Sequence, residues 1–208
     1  MAAVAGALLL ILTGVLSVES GFSYVDLNTL GVLIGMMLFV AVVKNSGIFE
    51  YIAIKAAKIA KGRPWPLMVL FALITAVLSA FLDNVTTVLL IGPMTLAITS
   101  MLRINPIPFF MTQIMASNIG GTATLIGDPP NIMIGSAAGL SFTDFITNTG
   151  VAVLFVLAAT IVCFYFIYGG KLHVEPEAMD SILQLDENKA IKDRSLLIKS
   201  VVMILLVV

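Results

Sequence analysis

Residues 117–131 read SNIGGTATLIGDPPN, and apolar sequence flanks them on both sides. The proline pair at 129–130 cannot continue a regular helix, because proline lacks the backbone N–H and its ring clashes with the preceding turn. Asp128 precedes a proline and is biased towards extended geometry. The glycine pair at 120–121 lets the backbone bend and approach a neighbouring segment closely. The stretch predicts a broken helix within the apolar segment 107–139, with a helix kinked near an interface as the alternative.

Unwound backbone at membrane depth is tolerated only inside protein or beside a watery cavity. There it exposes carbonyl groups to cations and helix N-termini to anions. Asp128 is either an ion ligand or the cap of the second half-helix, since proline is tolerated in a first turn. We therefore expect an ion or substrate site that includes Ser117, Asn118, Gly120, Gly121, Thr122, Thr124, Gly127, Asp128 and Asn131.

A second polar interruption, FLDNVTT at 81–87, lies within the apolar segment 65–101. An ionisable residue in such a segment costs about 2.5–3.5 kcal/mol on insertion scales, so Asp83 requires a role or a partner. If this is the tip of a helical hairpin, the second arm begins here, and its N-terminus can face an anion. Oxygens of Asp83, Asn84, Thr86 and Thr87 are candidate cation ligands. The alternative is an ordinary tight turn in which Asp83 caps the second helix.

The composition places the chain in a membrane. Of its 208 residues 60% are hydrophobic and 11% charged, and the mean hydropathy is +1.10, whereas a soluble domain carries about 25% charged residues. The net charge of −1 provides no basic excess for nucleic acid. Cys163 and His173 are single residues of their types and supply too few ligands for a metal cluster. We expect no cofactor.

The apolar segments predict an all-α, polytopic membrane protein. They lie at about 1–18, 27–43, 65–101, 107–139 and 150–169, and an incomplete one begins at 196. A hydrocarbon core about 30 Å thick needs roughly 20 helical residues, so the first, second and fifth segments fit single spans. The third and fourth are too long for one helix, which predicts a hairpin and a discontinuous helix.

Basic residues indicate the orientation. They fall within 44–63, at 103, at 171 and within 189–199, and the loops at 19–26 and 139–149 contain none. Lys and Arg in short loops are retained in the cytoplasm. All of them share that side if the hairpin returns to the side from which it starts. Whether its arms cross fully or stop midway stays open.

Three further segments are predicted. Residues 48–63 have an apolar helical period at Ile48, Ile52, Ala56 and Ile59 and form an interfacial helix, unless they extend the second span. Residues 171–195 are a polar cytoplasmic linker. The run 196–208 is too short to cross, so we expect a fragment whose second half is missing.

The runs FLDNVTTVLLIGPMTLAI (81–98) and SNIGGTATLIGDPPNIMIGSAAGLSFTDF (117–145) closely resemble one branch of the ion transporter superfamily. That branch contains arsenite permeases, Na⁺/H⁺ antiporters and melanosomal P proteins, and it is related to the divalent-anion:sodium symporters. Residues 25–62 also look like the span and interfacial helix that precede this branch's hairpin. The resemblance covers most of the chain to about residue 170.

The resemblance implies two inverted repeats, each with a re-entrant hairpin and a broken helix, and a substrate site between the hairpin tips. Residues 1–170 would be the first repeat and 196–208 the start of the second. Family members are usually homodimers. The symporter relatives have Ser-Asn-Thr at the hairpin tip, where this chain has Asp83-Asn84 followed by Val85-Thr86. A carboxylate in place of a hydroxyl favours cation or proton coupling over carboxylate transport.

The leading hypothesis is therefore a multi-pass, ion-coupled permease of the plasma or inner membrane that moves a small ion. Na⁺/H⁺ antiport or arsenite-type inorganic anion export comes first, with Na⁺ held by Asp83, Asn84 and the 120–131 backbone, and sodium-coupled di- or tricarboxylate transport is the alternative. A second class is an intramembrane protease with Asp83 and Asp128 as its dyad. The proline pair after Asp128 argues against the protease. A channel or scaffold is the third reading.

Overall fold

The structure, a computed structural model, describes residues 2–207 and the side chains of residues 2–203. Over that range it contains helices and no strand, so the predicted all-α class is confirmed. The helices are α1 (Ala2–Leu12), α2 (Val18–Ser23), α3 (Leu27–Lys44), α4 (Ile48–Ile59), α5 (Pro64–Phe81), α6 (Asn84–Met101), α7 (Ile107–Gly121), α8 (Pro129–Ala138), α9 (Phe142–Phe145), α10 (Val151–Tyr168), α11 (Pro176–Leu183) and α12 (Arg194–Val207). A π-helical turn (Ile146–Gly150) joins α9 to α10, and a 3₁₀ turn (Glu187–Ala190) precedes α12.

Four helices among the described residues are long and apolar enough to cross a bilayer. They are Leu27–Lys44, Pro64–Phe81, Asn84–Met101 and the 27-residue helix Phe142–Tyr168, which includes the π-helical turn. The chain is thus a polytopic helical membrane protein, as the sequence predicts. The structure divides 65–101 and 107–139 each into two helices, and the hairpin's depth in the membrane stays a prediction.

The predicted span over 1–18 is not a single helix. α1 has 11 residues and extends about 16 Å, roughly half the thickness of a hydrocarbon core. Gly14 follows it with a left-handed φ of 73°, a conformation that ends helices, and the Ser17 side chain caps α2. Residues 1 and 208, the ends of the predicted segments 1–18 and 196–208, lie outside the described residues.

The hairpin arms α5 and α6 are antiparallel. Leu67 and Phe71 from the start of α5 lie in one buried cluster with Ile98 and Leu102 from the end of α6. Phe109 at the start of α7 joins them, with its ring 6.4 Å from that of Phe71. α5 and α7 therefore begin at the same end of the bundle and run side by side, and α6 runs back from the hairpin tip to that end. We call this end, where the buried cluster lies, the hairpin base. The two arms thus form a helical hairpin whose ends meet, as the distribution of basic residues predicts.

α4 is a separate helix, so the alternative of an extended second span is wrong. α3 ends at Lys44, and Gly47 with a φ of 82° forms the turn before α4. The buried side of α4 is formed by small residues and one phenylalanine, and Ile59 of the predicted apolar face is 64% exposed. Alanine side chains allow the helix to lie close against the hairpin base. The buried residues are Phe49, Ala53, Ala56 and Ala57.

Two of the basic residues lie at the hairpin base and form ion pairs there. Lys58 of α4 pairs with Glu187, and Arg103 after α6 lies 3.8 Å from Glu175. Trp65 at the start of α5 packs edge-on against Tyr165 near the end of α10, with 5.1 Å between the ring centroids. The side of the membrane on which these residues lie stays a prediction.

Candidate functional site

The hairpin tip is a two-residue break that Asp83 organises. Leu82 and Asp83 have extended backbones, with ψ angles of 157° and 154°. One Asp83 carboxylate oxygen accepts a hydrogen bond of 2.8 Å from the backbone N–H of Thr86. The capping alternative for Asp83 is therefore realised. The cap also places a carboxylate at the positive end of the α6 dipole, beside the other tip residues.

An amide pair links the tip to the end of α7. Asn84 Nδ2 donates to Asn118 Oδ1 at 3.0 Å, and Asn118 Nδ2 donates to the Ile114 carbonyl at 2.8 Å. An open groove of about 260 Å³ lies beside this pair. The two polar interruptions predicted from sequence thus meet in space. The groove is lined by Asn84, Val85, Val88, Leu89, Ile114, Ser117 and Asn118.

Glycines bring the broken helix against the first hairpin arm. A Cβ built on Gly120 would lie 2.6 Å from the Ala76 Cα, closer than two carbon atoms can approach without a clash. A Cβ on Gly121 would lie 2.7 Å from the Gly127 carbonyl oxygen, and one on Gly127 would lie 2.7 Å from the Ser79 carbonyl oxygen. The close approach predicted for the glycine pair is present.

The segment between α7 and α8 is unwound over seven residues, 122–128, so the kinked-helix alternative is wrong. Thr124 donates its hydroxyl to the Ala80 carbonyl at the end of α5 and accepts from the Gly127 N–H. Asn131 Nδ2 donates to the carbonyls of Gly121 and Thr124 at 3.2 and 2.9 Å. These two side chains hold the unwound backbone in shape, and in this geometry they position the site.

Asp128 lies at the start of α8 with an extended backbone, φ −149° and ψ 135°, and its side chain makes no capping hydrogen bond. The two prolines that follow offer no N–H, and the Asn131 N–H donates to the Asp128 backbone carbonyl, so the first turn leaves no donor for the carboxylate. The unwound segment that ends at Asp128 is hydrogen-bonded to the end of the first hairpin arm, since Thr124 donates to the Ala80 carbonyl. The capping alternative for Asp128 is therefore not realised, and its role as an ion ligand stays a prediction.

Of the remaining predicted residues, Thr87 and Ser117 are buried and Thr122 is exposed. Thr87 is fully buried, and its hydroxyl has no hydrogen-bond partner within the part of the chain that the structure describes. Ser117 is buried, and its carbonyl accepts from the Ser79 hydroxyl at 2.7 Å. The Thr122 hydroxyl donates to the Ile119 carbonyl of the preceding helix. The structure therefore does not place this hydroxyl at the contact between Asn84 and Asn118.

Sequence reasoning missed the α5 partners and a buried pair between α6 and α7. Ser79 and the Ala76 and Ala80 backbones contact the broken helix but sit in an ordinary apolar run. Gln113 is 2% exposed, and its amide group lies 2.9–3.1 Å from the Thr95 hydroxyl. A glutamine in an apolar span needs a partner, and that requirement is the signal that could have found it.

We expect Gln113→Leu to lower the unfolding free energy of the full transporter by about 1 kcal/mol. Buried hydrogen bonds between membrane helices average about 0.6 kcal/mol, with a maximum near 1.7, and Thr95 keeps its bond to the Ile91 carbonyl. A double-mutant cycle with Thr95→Val, followed by unfolding in mixed micelles, measures the pair. Strictly additive effects would show that the two side chains are not coupled.

Discontinuous helices whose polar ends meet inside an apolar bundle define a class, the secondary transporters with broken helices. Consistently, the family model described as "Citrate transporter" matches residues 1–208. The chain belongs to this family, within the ion transporter superfamily.

Named relatives agree with this membership. The chain is similar to an uncharacterized transporter of Mycobacterium tuberculosis, 47% identical over 88% of this chain and 42% of the relative. It is also similar to the 46 kDa membrane protein of Mycobacterium leprae, 43% identical over 100% of this chain and 49% of the relative. The P protein of Homo sapiens is 42% identical over 68% of this chain and 17% of its own length. The chain thus spans less than half the length of these relatives.

The expected relationship to P proteins and the superfamily is confirmed. The family's description names citrate, which belongs to the alternative that the sequence ranked lower, so the substrate stays open. The family and the relatives' names indicate a transporter, a class that is not generally enzymatic. They provide no support for the protease alternative.

Proposed function

We propose that this chain provides one half of a cation site in an ion-coupled secondary transporter, with Na⁺/H⁺ exchange as the preferred reaction. One observation carries the proposal. Asp83 and Asp128 come from two separate helix breaks that are joined by hydrogen bonds, from Asn84 to Asn118 and from Thr124 to the Ala80 carbonyl. The Asp128 side chain makes no capping bond, and the Thr87 hydroxyl nearby in sequence to Asp83 is buried without a described partner.

Exchange follows from the chemistry of such a pair. Two carboxylates within an apolar bundle repel each other, and a buried charge needs a compensating partner. A sodium ion held by carboxylate, hydroxyl and carbonyl oxygens supplies one positive charge, and a bound proton supplies the same. Because both occupants neutralise the same groups, binding of one displaces the other. A site that carries them alternately to the two sides of the membrane exchanges Na⁺ for H⁺.

Two anion reactions compete with this proposal. The α6 N-terminus at the tip offers free backbone N–H groups, which suits inorganic anion export of the arsenite type. The family description supports the second candidate, sodium-coupled transport of a di- or tricarboxylate such as citrate. In that reaction Asp83 and Asp128 would hold the coupling sodium ion, and the carboxylate would bind beside it.

Proteoliposomes that contain the full-length transporter and a trapped pH dye distinguish these reactions. An external Na⁺ pulse should make the interior alkaline within seconds, and choline at equal ionic strength should not. Sodium-dependent uptake of labelled citrate without proton exit would transfer the assignment to the carboxylate candidate. Arsenite flux that ignores sodium would indicate anion export. No flux of any of these would contradict cation coupling.

The same proposal extends to the whole protein. We propose that a second half completes the site, that the transporter is a homodimer, and that residues 171–195 lie in the cytoplasm of the plasma or inner membrane. Light scattering of the purified full protein tests the dimer, and a monomer mass would contradict it. Labelling of a cysteine placed at Asn188 in intact cells tests the side, since a label from outside would place the linker externally.

A further inference from the structure

A polar strap, residues 176–192, lies along α4. It runs antiparallel to the helix: Met179 packs at Gly62 after the end of α4, Glu187 pairs with Lys58, and the Lys192 N–H donates to the Ser46 carbonyl before its start. Two charged residues of the predicted linker, Glu187 and Lys192, thus form ion pairs with α4. The strap covers the helix from one end to the other.

Both turns that bound α4 carry a glycine with positive φ, 82° at Gly47 and 67° at Gly62. The strap's own backbone touches both of them. A Cβ built on Gly47 would lie 2.9 Å from the Ala190 carbonyl carbon, and one on Gly62 would lie 2.9 Å from the Met179 Cα. The strap backbone therefore lies in contact with both turns, and neither glycine has room for a side chain.

The strap is held by one buried anchor and two ion pairs. Ile182 is fully buried in the cluster at the hairpin base. The Lys58 ammonium contacts Glu187 Oε2 at 2.5 Å and the Leu185 carbonyl at 3.2 Å. The hydrogen bond from Lys58 holds the pKa of Glu187 below its usual value, so the Glu187 carboxylate is ionised at neutral pH. Lys192 Nζ lies 3.6 Å from Glu50.

α4 is the covalent connection between α3 and the first arm of the hairpin. Any change in the angle between α3 and the hairpin is therefore transmitted through the turns at Gly47 and Gly62. We propose that the strap is a lock on α4: while docked it holds both glycine turns and fixes the angle between α3 and the hairpin, and its release lets that angle change. The lock requires a moving transporter and no particular ion.

Hydrogen exchange of the full-length transporter in lipid nanodiscs tests the lock without knowledge of the substrate. Glu187→Gln should speed exchange at residues 44–48 and 60–63 by about two- to fivefold, the effect of losing one partly exposed ion pair. Ile182→Ala, which removes the anchor, should speed it by roughly tenfold or more. Glu177→Gln is the matched control, because Glu177 is an exposed strap residue outside the recorded ion pairs, and it should change nothing.

Exchange within α5 and α7 should stay unchanged in each variant, which shows that the bundle is folded. The proposal is overturned if strap residues 176–192 exchange faster in Ile182→Ala while both turns keep the wild-type rate. If Ile182→Ala fails to fold, Glu187→Gln decides alone, and wild-type exchange at both turns overturns the lock. A failure to detect sodium transport would concern the cation site and would leave this measurement intact.

Discussion

Replacing Gly120 with alanine should destabilise the full transporter by about 2 kcal/mol or more. Alanine is the better helix former by about 1 kcal/mol, so local propensity predicts the opposite sign. The added methyl group would lie 2.6 Å from both the carbonyl carbon and the Cα of Ala76. Over-packing costs about 1–3 kcal/mol, occasionally more. Steric cost should win, because the obstacle is helix backbone and not the end of a flexible side chain.

Thermal unfolding of the purified full transporter measures this effect as a fall in Tm. Gly35→Ala is the matched control, since Gly35 lies inside α3 and a Cβ there has nothing within 4 Å. That variant should be neutral or slightly more stable. A Gly120→Ala protein as stable as Gly35→Ala would show that α5 and α7 are not in close contact at this point.

Asp83→Asn should abolish sodium-driven proton flux and leave the fold intact. Asparagine is also a good helix cap, so the bond from the Thr86 N–H is retained and only the charge is lost. Removing one partner of a fully buried ion pair costs about 3–5 kcal/mol. Asp83 is half-buried, so we expect a smaller cost of about 1.5–3 kcal/mol, a loss of roughly 10- to 100-fold in cation affinity. Proteoliposome flux, with yield and monodispersity as fold controls, measures it.

Wild-type flux in Asp83→Asn would remove Asp83 from the coupling site and restrict it to capping α6. A variant that loses flux and also aggregates would be uninformative on its own. Asp83→Ser, which keeps a capping oxygen without the charge, should then lose flux while remaining folded, and flux in Asp83→Ser would contradict the assignment equally.

Both breaks could be predicted from the sequence because local chemistry determines them. The proline pair at 129–130 removes two backbone donors wherever it occurs, and a helix cannot run through it. Placing Asp83-Asn84 inside an apolar run costs insertion free energy, so the pair is expected where a helix ends or where a polar site requires it. The distribution of basic residues then predicted that the hairpin returns to its starting side. In the structure the start of α5 and the end of α6 lie in one buried cluster.

The features that could not be predicted depend on contacts between distant segments. Gln113 meets Thr95 only because α6 returns beside α7. The strap docks on α4 across more than 120 residues of sequence, and its polarity alone indicates solvent exposure. The span expected over 1–18 ends early at a left-handed Gly14, and hydropathy does not register backbone handedness. The bonds from Thr124 to the Ala80 carbonyl and from Asn131 to the Gly121 carbonyl could not be predicted either, because each joins two separate helices or breaks.

We propose that the two helix breaks place Asp83 and Asp128 around one cation. Equilibrium binding of radioactive sodium to the purified full-length transporter tests it most directly. We expect saturable binding in the wild type, its loss in Asp83→Asn and in Asp128→Asn, and its retention in Asp144→Asn, an exposed aspartate that lies in a helix capping box. Sodium binding that survives both site substitutions, or its absence in the wild type, would contradict the account.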